Sequence, residues 1–220
     1  MIRFENVTKT FADTQQTALS QVNFHILPGE MAFVMGKSGS GKTTLMRLLL
    51  RELIADEGTV WVNGQDIGKL KRDKIPVYRR RIGFVFQDFR LMHDRTVYEN
   101  VAIVKRVAGA KERDTRTQVA MALRVVGMDG AYDRPVSELS GGEQQKVCVA
   151  RAIVGNPYCM LADEPTGNLD PKQAREIMLL FERINFLGIT TLIATHDRDA
   201  IEGMEHRKLY LTDGTLYSGE

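Results

Sequence analysis

Gly36-Lys37-Ser38-Gly39-Ser40-Gly41-Lys42-Thr43 fits the pattern G-x-x-x-x-G-K-[ST], a glycine-rich loop that cradles phosphates. Glycines let the backbone curl so that successive N–H groups point inward at a polyanion. Immediately upstream, Met31-Ala32-Phe33-Val34-Met35 is an apolar run suited to a buried parallel strand. Downstream, residues 44–51 read as a helix opening beside Thr44. The loop therefore lies between a strand and a helix, which is the context the motif requires. Its helix end adds unpaired N–H groups and a positive dipole end. Lys42 is placed to reach the β- and γ-phosphates of a nucleotide, and the Thr43 hydroxyl to ligate Mg²⁺.

Composition narrows the class without naming it. The chain has 220 residues, enough for one sizeable core with a modest insertion. Thirty basic and 28 acidic residues leave a net charge of +2, which argues against a general nucleic-acid binder. No apolar run approaches the ~18 residues that cross a bilayer, and the first residues carry no signal-peptide pattern. A soluble, cytoplasmic protein is expected, with any membrane role supplied by a partner. Cys148 and Cys159 both sit in apolar surroundings and read as small core residues, not a disulfide.

Further along, several strand ends carry chemistry. Residues 158–162 form a buried-strand run that ends in Asp163-Glu164. In such a fold an acid there is placed to hold Mg²⁺, here Asp163, and its neighbour Glu164 to orient or deprotonate an attacking water. Residues 82–86 are strand-like and lead to Gln87, either a polar cap or an amide aimed at Mg²⁺ or the water. The β-branched run 189–195 ends at His196, either structural or a contact to the γ-phosphate. Phe11 is either an ordinary half-buried aromatic or a face for a base to stack on.

Flanking elements are readable too. Residues 2–11 and 22–26 read as strands, and 59–67 as a hairpin turning at Asn63-Gly64. Residues 209–217 form a last hairpin around Asp213-Gly214. The basic cluster from Lys69 to Arg81 reads as a solvated helix face, with anionic headgroups as the sharper alternative. From Asp88 to about Gly155 the pattern turns helical. Thr96 and Glu99 make a capping box, as do Ser140 and Glu143. Ser140-Gly141-Gly142 has more glycine than a cap needs and leaves bare N–H groups at a helix tip, a second anion-binding device. Two devices for one phosphate chain suggest a two-fold dimer in which each chain completes the other's site.

With all these residues in view, the chain resembles the ATP-binding-cassette (ABC) ATPases over essentially its whole length. Residues 36–43 match the Walker A loop, 158–163 the Walker B strand, and 139–145 the family signature, with Glu143 where glutamine is commoner. Gln87 matches the Q-loop residue, residues 167–170 the D-loop, and His196 the switch histidine. Phe11 stands where the adenine-stacking aromatic is more often tyrosine. The resemblance implies an α/β P-loop NTPase fold: a RecA-like parallel sheet core (1–87 and 156–220), an N-terminal antiparallel β subdomain and an inserted α-helical subdomain (88–155).

It also implies ATP and Mg²⁺ as ligands. The nucleotide would meet Phe11, Gly36, Lys37, Ser38, Gly39, Ser40, Gly41, Lys42, Thr43 and Thr44, with Ser140, Gly141 and Gly142 from a second chain. Thr43, Gln87 and Asp163 would hold the metal, and Glu164, His196, Gln87 and Lys42 would carry hydrolysis. Residues 82–91 and 94–101 are similar, more narrowly, to a branch of the family that serves bacterial cell division. This implies a homodimer on ATP binding and an integral membrane partner docking near Gln87 to Asn100. It further implies a place on the cytoplasmic face of the inner membrane at the septum, contact with division-ring components, and no nucleic acid. Residues 161–170 are shared with cassettes of lipoprotein release and efflux, which keeps a transport role open.

Overall fold

The computed structural model describes residues 1–218. Two sheets and six helices follow in chain order. Strand β1 (Ile2–Phe11) pairs with β2 (Gln16–Ile26), and β3 (Met31–Met35) leads into α1 (Lys42–Leu49). The hairpin β4 (Glu57–Val62) and β5 (Gln65–Asp66) turns at Asn63 and Gly64, both with positive φ, as a tight hairpin demands. After α2 (Ile75–Arg79) and β6 (Ile82–Val85) come three helices: α3 (Val97–Val107), α4 (Glu112–Val125) and α5 (Gly141–Ile153). The chain closes with β7 (Cys159–Asp163), α6 (Pro171–Phe186), β8 (Thr190–Thr195), β9 (Arg207–Thr212) and β10 (Thr215–Ser218).

The first sheet is antiparallel with order β2-β1-β4-β5; the second has order β10-β9-β3-β8-β7-β6. In the second, β9, β3, β8, β7 and β6 run parallel and only β10 runs against them. All five residues of β3 are buried, because both faces of this sheet are covered. Its alternation assigns them. Met31, Phe33 and Met35 join a core with α3 to α6, whereas Ala32 and Val34 join one with α1 and the antiparallel sheet. Cys148 and Cys159 are buried and unbonded to each other.

Among the element bounds that differ from the sequence reading, two bear on the site. β2 starts at Gln16, not Val22, because its first half, polar except for Ala18 and the buried Leu19, pairs with β1 through the backbone. α1 starts at Lys42, inside the glycine-rich motif, after a left-handed Gly41 (φ 108°). A Cβ at Gly41 would lie 2.4 Å from the Ala18 carbonyl oxygen, so β2 packs directly on the loop.

Candidate functional site

The sheet order positions the chemistry. Adjacent parallel strands β3, β8, β7 and β6 end side by side, and their carboxyl ends deliver in turn the loop 36–43, His196, Asp163-Glu164 and Gln87. Ligands of open α/β sheets collect at such a row of strand ends.

Lys42 is 5% exposed, and its ammonium group spends all three donors. It donates to the Gly36 carbonyl at 2.6 Å and the Lys37 carbonyl at 3.0 Å, and it pairs with Glu164 Oε1 at 3.1 Å. Glu164 is the hub. Its φ of 48° lies in the left-handed region, which turns the side chain back after β7 instead of continuing the strand. Its Oε2 accepts from the His196 backbone N–H at 3.2 Å and lies 2.9 Å from His196 Nδ1. Three strand ends thus meet at one carboxylate, with the His196 ring itself exposed.

Asp163 lies beside this triad. Burial raises its pKa, the neighbouring Glu164 charge adds to that rise, and the Thr43 hydroxyl and Lys42 oppose it. Its Oδ1 is buried and makes no hydrogen bond. An orphaned carboxylate oxygen next to a Thr hydroxyl is a donor set that suits a hard cation. Gln87 is exposed and packs against the D-loop, its Nε2 3.0 Å from where a Cβ on Gly167 would stand. The Asn168 amide donates to the Gln87 carbonyl at 2.9 Å.

Two sequence candidates stand apart from this cluster. A cavity of about 710 Å³ is bounded by residues 35–40 on one side and by His196, Arg198 and residues 210–213 on the other. Phe11, half-buried at the end of β1, lies outside its lining. Ser140 N-caps α5, with its hydroxyl and the Glu143 carboxylate making both bonds of the capping box. Arg134 holds that carboxylate at 2.8 Å, and these contacts keep its pKa below the ordinary glutamate range. The tip packs on the D-loop, near Asn168 and Leu169, and shares no cavity wall with residues 36–40 of its own chain.

Sequence reasoning missed several neighbours. Thr166 bonds Asp197 at 3.2 Å, and buried Gln145 donates to the Pro165 carbonyl at 2.6 Å, fixing the turn after Glu164. The 210–213 wall was readable only as a hairpin; nothing local marks it as a neighbour of the loop. A second cavity, about 480 Å³, lies beyond Gln87 between β6, α2, α3 and α5. Phe84, Phe86, Ile103, Val104 and Val107 give it an apolar floor, and Arg79, Arg80, Arg90 and Arg151 surround it with no acid in the lining.

The family model described as ABC transporter matches residues 19–167. The chain belongs to that family, and it is an ABC-type ATPase, the nucleotide-binding cassette. It is 49% identical over 220 residues to the "Cell division ATP-binding protein FtsE" of Escherichia coli K12, covering all of this chain and 98% of that one. The protein of the same name from Mycobacterium tuberculosis is 46% identical over 220 residues, covering 100% and 96%. Among solved structures, the dimeric cassette MJ0796 superposes with a TM-score of 0.88 at 34% identity, over 100% of this chain and 98% of that one. The cassette cbiO1 of Clostridium perfringens gives 0.91 at 31% identity, over 99% and 87%. A further MJ0796 structure is described as a dimeric post-hydrolysis state bound to ADP and Pi.

Proposed function

We propose that this chain is the ATP-hydrolysing subunit of a bacterial cell-division complex, in which two copies close on two molecules of Mg·ATP and move an integral membrane partner. One observation carries the hydrolytic reading: the contact of Lys42, Glu164 and His196 across three strand ends. Lys42 would exchange its carbonyl and carboxylate partners for the β- and γ-phosphates. That exchange frees Glu164 to accept a proton from the attacking water, while His196 steadies the carboxylate and meets the γ-phosphate. Gly36 to Thr44 would supply N–H groups to the phosphates, and Phe11 a face for the base. Thr43, Gln87 and Asp163 would hold Mg²⁺. When bound, that ion offsets the charge of the β- and γ-oxygens. Phosphate oxygens of the nucleotide would complete the shell that these three residues begin.

Ser140, Gly141 and Gly142 would grip the same triphosphate from the second chain, since they do not reach the loop of their own. The division role rests on the likeness to the FtsE proteins. The partner would be an FtsX-like membrane protein seated near Gln87 to Asn100, placing the cassette on the cytoplasmic face of the inner membrane at the septum. There it would regulate peptidoglycan hydrolysis and meet components of the division ring. The arginine-rimmed groove suits a partner segment that is apolar on one side and carries carboxylates. Among the described residues no helix is long and apolar enough to cross a membrane.

Purification from membranes with mass-spectrometric identification of the bound membrane subunit tests this reading. An FtsX-like subunit, together with ATP turnover lost in Glu164→Gln, is the expected result. A subunit with a solute cavity would move the protein to lipoprotein release or efflux.

A further inference from the structure

The turn that follows Gln87 is strained, and both its left-handed carbonyls are held from α5. Phe89 (φ 55°) and Arg90 (φ 50°) are consecutive left-handed residues, and neither is glycine. L-residues visit that region singly, and a pair persists only when the surroundings over-determine it. Both carbonyls of the pair accept from Arg151, the Phe89 oxygen at 2.6 Å and the Arg90 oxygen at 2.5 Å. Cys148, one turn earlier on α5, adds its thiol to the Phe89 oxygen at 3.2 Å. Among the described residues Arg151 makes no ion pair, so its planar fork is committed to these two carbonyls. Burial pulls its pKa below the ordinary guanidinium value.

α5 in turn lies close against β6. A Cβ at Gly83 of β6 would lie 2.7 Å from the Ala152 carbonyl oxygen, so helix and strand touch backbone to backbone beside the clamp. On its other side, the segment is tied at Gln87 to the D-loop through Asn168. Arg90 also stacks on Phe86, with its guanidinium carbon 3.9 Å from the ring centre, and Phe86, Arg90 and Arg151 all line the apolar groove.

We propose that Arg151 is a positioning residue for ATP hydrolysis: by pinning the left-handed Phe89–Arg90 turn to α5, it fixes where Gln87 stands relative to the nucleotide and connects that position to the groove. The inference rests on the reading of Gln87 as a ligand to Mg²⁺ or the attacking water. α5 then carries the Ser140 tip at one end and the clamp on the Gln87 turn at the other. An occupant of the groove that drew Arg151 away would release the turn.

The test compares the full chain with Arg151→Met and Arg151→Lys by hydrogen exchange and by the dependence of ATP turnover on ATP and on Mg²⁺. In Arg151→Met, exchange of the amides in 87–91 should rise on the order of ten-fold while β7 amides keep their protection. The Mg²⁺ concentration for half-maximal turnover should rise with the KM for ATP unchanged, and Arg151→Lys should lie between. Exchange in 87–91 within about two-fold of wild type, or a rise in β7 protection loss in step with it, would overturn the proposal. If the wild-type chain neither binds nor turns over Mg·ATP, the hydrolytic reading fails while the exchange comparison still decides the clamp.

Discussion

Glu164 is legible in sequence as an acid at a strand end, but its left-handed φ is not, and that twist brings its carboxylate onto Lys42 and His196. Glu164→Gln keeps the shape and removes the proposed proton acceptor. Steady-state ATP turnover should fall on the order of 10²–10⁴-fold with nucleotide affinity retained. Lys42→Ala acts on the other partner: it removes the charge proposed to meet the phosphates and leaves the half-buried Glu164 carboxylate with His196 alone. ATP affinity, measured by titration calorimetry, should weaken by at least about ten-fold. The motif residues were readable because each has a fixed spacing from the loop or a strand end. Arg151 was not, because an arginine in the last turn of a helix looks like surface until the fold brings Phe89 and Arg90 under it.

At the scale of elements, caps and turns were the most legible features. Thr96 with Glu99 and Ser140 with Glu143 form both reciprocal bonds that their spacing predicts. Asp170 caps α6 ahead of Pro171, and Gly188 follows the helix with φ 91°. The first half of β2 escaped because backbone pairing with β1 makes the strand, and Leu19 is its single buried apolar residue, too little for an alternation to read. The caps have a pH signature. Hydrogen bonds from Thr96 lower the pKa of Glu99, those from Arg106 and Tyr98 lower that of Glu112, and those from Ser140 and Arg134 lower that of Glu143.

A carboxyl that is more acidic folded than unfolded contributes stability above the ordinary value of 4.5 and loses it as pH falls through the lowered folded value. Urea midpoints should therefore drop as pH is taken below 4.5, and the combined Glu99→Gln, Glu112→Gln and Glu143→Gln variant should show a shallower drop. Gly83→Ala tests the packing of α5 on β6. The added carbon meets the Ala152 backbone and should cost about 1–3 kcal/mol in the urea unfolding free energy.

The whole molecule holds what no local pattern encodes. Strand order puts the loop, His196, Glu164 and Gln87 in one row, although they are spread along most of the chain. Likewise folding alone sets residues 210–213 beside the loop and forms the groove beyond Gln87. The Ser140 tip lies outside the lining of the cavity beside its own loop, and the proposed site is completed by the tip of a second chain. Sedimentation of Glu164→Gln with saturating Mg·ATP, with and without Ser140→Asp, addresses this directly. Aspartate still caps a helix but sets a negative charge against the γ-phosphate. Glu164→Gln should give a species of twice the chain mass that is lost when Ser140→Asp is added, with ATP still bound to the single chain. A Glu164→Gln, Ser140→Asp protein that dimerises with ATP as fully as Glu164→Gln alone would contradict the two-chain site.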